Sequence, residues 1–300
     1  MKRHHHYVQS VQRRLITSCG GHRMDPAMTS HHAHKLTELR IDQHNLNGQH
    51  IVVKQLRDYC IHNKVDLALI QEFPSKNRII KGLDHDPIRC IVGSTGQKPG
   101  AAIIVFNVEL EVTVLSNLSS VYFTVITVRI GREIINFVSS YFKFNILTVE
   151  FVMRLDVILN EMKGETVICA DVNAHSPLWM CDASNNTARV KGRKIEDLIE
   201  KHQLTVHNNN RRTHRCNRVG MGTSNIDVTM TTARVAGRIS RWKVIKGITK
   251  TLLDDINFLL KILSEKLLYT FSIFFLIIFF LYGSMLSEFS TGLHFLKMIV

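Results

Sequence analysis

Short apolar runs that stop at Asn, Glu, Tyr or Asp recur along the middle of this chain and set its expected architecture. Residues 36–41 read as a strand leading into Gln43-His44-Asn45-Leu46-Asn47-Gly48. In 51–62, Val52, Leu56, Tyr59 and Cys60 recur at helical spacing and share one face. The run 65–70 is a second, buried strand that ends in Gln71-Glu72, before Phe73-Pro74. Strand, helix and strand in succession predict a βαβ-like opening. Residues 88–92 and 101–105 are further strands, separated by the glycine-rich stretch 93–100. The alternating run 121–130 turns at Gly131-Arg132 into 133–141, a hairpin. Helical spacing returns in 149–162, and in 192–202 through Ile195, Leu198 and Ile199. Between these helices lies a short buried strand, Thr166-Val167-Ile168-Cys169-Ala170. It stops at Asp171-Val172-Asn173, and Pro177 forbids further regular pairing. Shorter strands are expected at 204–206, 226–230 and 242–245. Many strands and few helices predict an α/β chain of two packed sheets with helices outside. No period repeats, so a solenoid is excluded.

Composition adds a partner class. A formal charge of +13 implies an anionic partner, nucleic acid or an acidic membrane face. From 228 to 253 there is no acid, while Arg234, Arg238, Arg241, Lys243, Lys246 and Lys250 are basic. Such a run is ordinarily a solvated face. Placed beside polar strand ends, it is a candidate surface for phosphates. The 6 cysteines include no C-x-x-C pair and form no disulfide framework, as in a reducing compartment. Cys60 and Cys169 fall in apolar patterns as small core residues. His214-x-Cys216 lacks the second pair of a zinc site, so the spacing alone predicts no structural zinc.

The two ends differ from the middle. Residues 1–35, with His4-His5-His6 and His31-His32, read as a disordered, basic, His-rich tail without the apolar core of a secretory signal. The domain proper is expected over 36–260, and 261–300 as a hydrophobic tail. Within the tail, 267–287 has no charge and is about 21 residues long, enough for a transmembrane helix. Lys261 and Lys266 before it would keep the bulk of the chain on the cytoplasmic side. The other reading is read-through sequence that belongs to no evolved fold. Localisation is expected to be nuclear or cytoplasmic, with membrane anchorage if 267–287 inserts.

The residues that end the apolar runs make a chemical set. Asn45, Asn47, Glu72, Tyr141, Asp171, Asn173 and Asp227 each follow or flank a strand, and strand ends in a sheet protein can converge on one edge. A Glu beside Asp carboxylates and Asn amides is an oxygen-rich site suited to Mg²⁺ or Mn²⁺. Taken alone, Asp171-x-Asn173 is equally an Asx-turn in which the side chains cap their own backbone.

These residues carry a resemblance. Asn45-Leu46-Asn47-Gly48, Ile70-Gln71-Glu72, Ser139-Ser140-Tyr141-Phe142, the block from Ala170 to Trp179, and Ser224-Asn225-Ile226-Asp227-Val228-Thr229 resemble the motifs of the endonuclease/exonuclease/phosphatase superfamily. The match is most similar to the apurinic-type endonuclease domain of non-LTR retrotransposons of the R1 and jockey kind. The resemblance spans roughly 36–258. It implies a four-layer α/β sandwich and Mg²⁺-dependent nicking of DNA by a monomer that uses no small-molecule cofactor. It further implies that Asn45 and Tyr141 touch the scissile phosphate and that Glu72, with Asn47 nearby, holds the metal. Asp171 would align the attacking water, Asn173 would stabilise the transition state, and Asp227 would orient a histidine from a final Ser-Asp-His motif. His175 and the basic residues Arg234, Arg238, Arg241, Lys243 and Lys246 would contact DNA.

The last motif departs from the pattern. Leu253-Asp254-Asp255 stands where Ser-Asp-His is expected, so Asp254 matches and Asp255 replaces the His. A carboxylate there repels a phosphate instead of donating to it. His44 also replaces the usual Trp before Asn45. Two alternatives therefore stand beside the nuclease: a catalytically inactive DNA-binding remnant, and a membrane-tethered phosphoesterase.

Overall fold

Strand β1 (Glu38–Asn45) runs into helix α1 (His50–His62) and returns as β2 (Leu67–Gln71), parallel to β1. The opening is the βαβ unit that the pattern predicts. The structure, a computed structural model, describes residues 38–262 apart from 77–78, 84, 94–97, 182–185, 216–222 and 246–254, and apart from the side chains of 214, 215, 223 and 255. The His-rich segment and the stretch 267–287 lie outside the described residues. Among those described, no helix is long and apolar enough to cross a membrane.

β3 (Arg89–Val92) and β4 (Ala101–Val105) form an antiparallel pair, and β4 lies against β2. β5 (Glu111–Val114), β6 (Phe123–Ile130) and β7 (Glu133–Tyr141) form a meander that turns at Ile130 and Glu133. Helix α2 (Thr148–Glu161) crosses over to β8 (Glu165–Asp171), parallel to β7. After a 3₁₀ turn at Pro177–Trp179 come helix α3 (Asn186–Lys201), β9 (Thr205–Val206) and a small ribbon of β10 (His214–Arg215) and β11 (Thr223–Ser224). The described chain closes with β12 (Asp227–Thr231), α4 (Ala233–Ala236), β13 (Ile239–Ile245) and β14 (Asp255–Lys261).

Two six-stranded sheets result. The first has the order β13-β14-β1-β2-β4-β3 and the second β5-β6-β7-β8-β12-β9. Side chains that alternate inward pack the sheets together: Leu39, Ile41, Leu69, Ile103, Phe137, Val167 and Phe258 are all fully buried. On the outer face of the first sheet, Val52, Val53, Leu56 and Cys60 of α1 rest on Ala68, Ile70, Ala102 and Ile104. The two alanines let the helix approach closely. On the outer face of the second, Phe151, Leu155 and Ile158 of α2 and Ile195, Leu198 and Ile199 of α3 cover Val125, Val138, Ile168 and Met230. The result is the expected four-layer sandwich of helix, sheet, sheet and helices. Strands covered on both faces, such as β2, β4 and β12, are buried at every residue. That explains why β2 and β4 read as apolar runs without alternation, whereas β12 alternates Val228 and Met230 with the buried Thr229 and Thr231.

Four strands, β5, β10, β11 and β14, lie where the pattern predicts none. β5 is a mostly exposed edge strand, Glu-Val-Thr-Val, whose few residues carry little pattern. β14 lies between β13 and β1, although the pattern predicts no strand past 245. Its Ile256, Phe258 and Leu260 face the inter-sheet core, so residues up to Lys261 complete the first sheet.

Candidate active site

The parallel strands all end on one edge of the sandwich. Asn45 is the last residue of β1, Tyr141 of β7 and Asp171 of β8; Glu72 follows β2 directly, and Asp227 opens β12 opposite Asp171. Below them a polar layer joins the sheets. Gln71 donates to Ser139 Oγ (3.0 Å), Ser139 to the Ile70 carbonyl (3.1 Å) and Thr229 to Gln43 Oε1 (3.2 Å). These bonds fix the register of the two sheets just under the candidate site.

Asn45 Nδ2 donates to Asp171 Oδ2 at 2.6 Å, bridging the two sheets. The other Asp171 oxygen accepts the Asn173 backbone N–H at 3.2 Å. The Asx-turn is therefore present, and it occupies one oxygen while the second faces Asn45. Asn173 turns its side-chain amide to the Phe142 carbonyl at 3.1 Å, which ties this turn to the end of β7. Tyr141 donates its hydroxyl to Glu72 Oε1.

Asn47 (φ 45°), Glu72 (φ 47°) and Asn173 (φ 44°) all adopt the left-handed region. A non-glycine residue there costs about 1 kcal/mol or more, and such strain clusters at functional positions. The Glu72 N–H is held by the Gly100 carbonyl at 3.0 Å. Gly100 also has to be glycine: a Cβ would lie 2.8 Å from Tyr141 Cδ1 and 2.9 Å from Tyr122 Cδ1.

Electrostatics single out Asp171. It is 1% exposed, and burial first, then the Asp227 and Glu72 carboxylates, push its pKa well above the usual range. Burial and the bond to Glu72 raise the Tyr141 hydroxyl, so it stays a proton donor. Burial and the charge of Arg212 lower the pKa of His175, and its buried Nδ1 has no hydrogen-bond partner among the described residues. Helix α3 passes so close that a Cβ at Gly192 would collide with the His175 carbonyl.

Beside these groups lies a cleft of about 280 Å³ lined by Asn47, Glu72, Lys98, Tyr122, Tyr141 and Lys143, among others. The pattern of apolar runs gave no sign of Lys98 and Lys143. Their one sequence signal is proximity, Lys98 before Pro99-Gly100 and Lys143 two residues after Tyr141.

Two members of the basic run lie away from this edge. Arg234, on α4, pairs at 3.8 Å with Glu165, and Arg238 pairs at 2.8 Å with Glu133. Both acids open strands whose other ends are Asp171 and Tyr141. Arg234 and Arg238 therefore sit at the opposite end of the sandwich from the candidate site. Strand register decides this, and a charge count cannot see it. Arg241 and Lys243 are exposed on β13, with Lys243 in register with Asn257, which itself faces Asp42. Lys246 and Asp254 lie outside the described residues. Asp255 is described only by its backbone, which opens β14 at the end of the sheet that carries Asn45.

The donor set suits a hard divalent cation. Glu72, Asp171 and Asp227 crowd carboxylates against one another, and the Asn45 and Asn47 amides add neutral oxygens. Burial first, and then the Asp227 and Glu72 carboxylates, raise the Asp171 pKa, and a bound cation would relieve the repulsion.

Known proteins share this fold. The family model described as Endonuclease-reverse transcriptase matches residues 135–251. The endonuclease domain of TRAS1, a telomere-specific non-LTR retrotransposon, superposes with TM-score 0.66 and 22% identity, over 75% of this chain and 100% of that one. The AP endonuclease LMAP from Leishmania major gives 0.61 and 10%, over 76% and 89%. A 3′-5′ exonuclease from Neisseria meningitidis gives 0.57 and 16%, over 75% and 100%. No curated protein matches the chain.

Proposed function

We propose that this chain, a member of the endonuclease/exonuclease/phosphatase superfamily in its retrotransposon branch by its fold and by the family match over residues 135–251, nicks DNA phosphodiester bonds with the help of a divalent metal. The observation that carries this reading is the convergence of Glu72, Asp171 and Asp227 with Asn45 and Tyr141 across the ends of both sheets. Glu72 and Asn47 would hold Mg²⁺ or Mn²⁺, which when bound supplies positive charge to a phosphate under attack. Asp171, which burial makes a stronger base than an ordinary carboxylate, is the group suited to accept a proton from the attacking water. Asn45 keeps that carboxylate oriented, and Tyr141, protonated, presents a hydroxyl where phosphate oxygens would sit. Lys98 and Lys143 border the cleft and would attract the backbone of the DNA.

A second reading, DNA binding without turnover, is favoured by one observation: Asp255 stands where the resemblance calls for a histidine. One experiment separates the two. Supercoiled plasmid is incubated with the full chain, with and without Mg²⁺, and with Asp255→His. Metal-dependent nicking that Asp255→His raises about tenfold or more supports the nuclease. Binding with no nicking by either protein selects the inactive remnant. Absence of both removes DNA from the reading.

A further inference from the structure

Behind the candidate active site, on the other face of β1, lies a cluster that plays no part in it. Asp42 and His44 alternate outward toward α1, and Cys60 reaches down from the last turn of that helix. Their ligand atoms all lie within 4.8 Å of one another, and the three residues are 0%, 2% and 0% exposed. We propose that Asp42, His44 and Cys60 form a second metal site, for a zinc-class divalent ion, that ties α1 to β1 directly behind Asn45.

Geometry comes first. His44 Nε2 lies 3.3 Å and Cys60 Sγ 3.9 Å from the same atom, Asp42 Oδ2. Bonds of the length zinc makes to oxygen, nitrogen and sulfur place neighbouring ligands of a tetrahedron about 3.3–3.8 Å apart. The other Asp42 oxygen accepts from Asn257 Nδ2, on the neighbouring β14. That bond turns Oδ2 toward His44 and Cys60, as an outer partner orients a metal-binding carboxylate. The His44 ring is set edge-on to Tyr59 at 6.4 Å. A fourth corner is left for water or for the Asn257 amide.

Charge comes second. One carboxylate, one thiolate and one neutral imidazole around a divalent cation sum to zero, as a fully buried centre requires. The mixture of oxygen, nitrogen and sulfur favours zinc-class ions over Mg²⁺. Loading releases the Cys60 thiol proton to solvent. Cys60 also borders a cavity of about 680 Å³, with Asp66, His85, Asp86 and Phe106 on its walls. The sequence spacing concealed the site because its third ligand arrives on a helix packed over the strand.

The test uses the full chain and Co²⁺ as probe. The His-rich segment can bind cobalt and carries Cys19, so Cys19→Ala is run beside the wild type and should leave the thiolate-to-metal absorption band in place. The wild type is expected to show that band, saturating near one equivalent, and Cys60→Ala to lose it. His44→Gln should weaken the affinity at least tenfold. No band in the wild type, or an undiminished band in Cys60→Ala, overturns the proposal in favour of a hydrogen-bonded Asp-His-Cys cluster. A second measurement stands if the variants fail to fold. Zn²⁺ should raise the melting temperature of both the wild type and Glu72→Gln. No rise in either protein, or a rise only in the wild type, counts against the site. The outcome is independent of whether the strand-end site cuts DNA.

Discussion

The two ends of the sandwich treat acidic residues in opposite ways. At the far end, Glu133 and Glu165 open their strands and pair with Arg238 and Arg234. At the near end, Glu72 and Asp171 make no ion pair among the described residues, and Asp171 lies buried against two further carboxylates. The far end is built for stability. The near end holds charge that the fold itself does not neutralise. Unrelieved charge at one edge is what a site that waits for a cation requires.

The comparison breaks most decisively at the near end. In a background that nicks DNA, such as Asp255→His if the wild type is weak, Asp171→Asn or Glu72→Gln should lower the plasmid-nicking rate by about a thousandfold or more. The same Asp171→Asn should raise stability by about 1 kcal/mol in a urea titration, because a desolvated, repelled charge is removed. A loss of stability instead would mean that the near-end acids are structural.

Arg238→Ala should do the reverse. It removes a guanidinium that bonds Glu133 and the Lys261 carbonyl at 2.8 Å each, both pair members being about nine-tenths covered. A cost of about 1–2 kcal/mol with nicking unchanged is expected. A fall in DNA cleavage at full folding would move the DNA track to the far end.

The far end also carries a neutral histidine. Burial holds His207 at about 4, and its Nε2 lies 2.8 Å from Thr231 Oγ1. Its folded pKa lies below the ordinary 6.5, so between about pH 6.5 and 4 the unfolded chain binds more protons. Stability should then fall as the pH falls through that window, by about 1–2 kcal/mol after discounting for partial exposure. His207→Gln should flatten that limb of the stability–pH curve; an unchanged limb assigns the effect to other groups.

The mildest test is salt. Lys98→Ala and Lys143→Ala should each reduce the slope of log K against log salt for duplex binding by about 0.9, while Arg234→Ala leaves it unchanged. Equal effects from all three would erase the distinction between the ends.

Much of this contrast was legible in the sequence, and the rest was hidden for physical reasons. Polar residues at the ends of apolar runs were visible because carboxylates and amides are rare inside buried strands, Asp42 of β1 being an exception. Asn45, Glu72, Tyr141, Asp171 and Asp227 could be collected that way. Arg234 and Arg238 looked equally suitable because charge and proximity in sequence do not say which end of a strand a residue occupies; only pairing does. β14 was missed because Ile256 to Leu260 merges in composition with the apolar stretch that follows. Lys98 and Lys143 are single cations in loops, where no period exists to mark them.

The pairing of β1 with β14 has one more consequence. Glu38 and Lys261, the outer residues of the first and last described strands, are direct partners across an antiparallel ladder. In connectivity the domain is nearly a closed ring, broken between adjacent positions. A short turn joining Lys261 to Glu38 would make the two strands a hairpin, and the chain could be reopened between β10 and β11. Such a circular permutant should fold to the same sandwich. It would also turn the contact of longest sequence separation into one of the shortest, so it should fold faster than the natural order of strands allows.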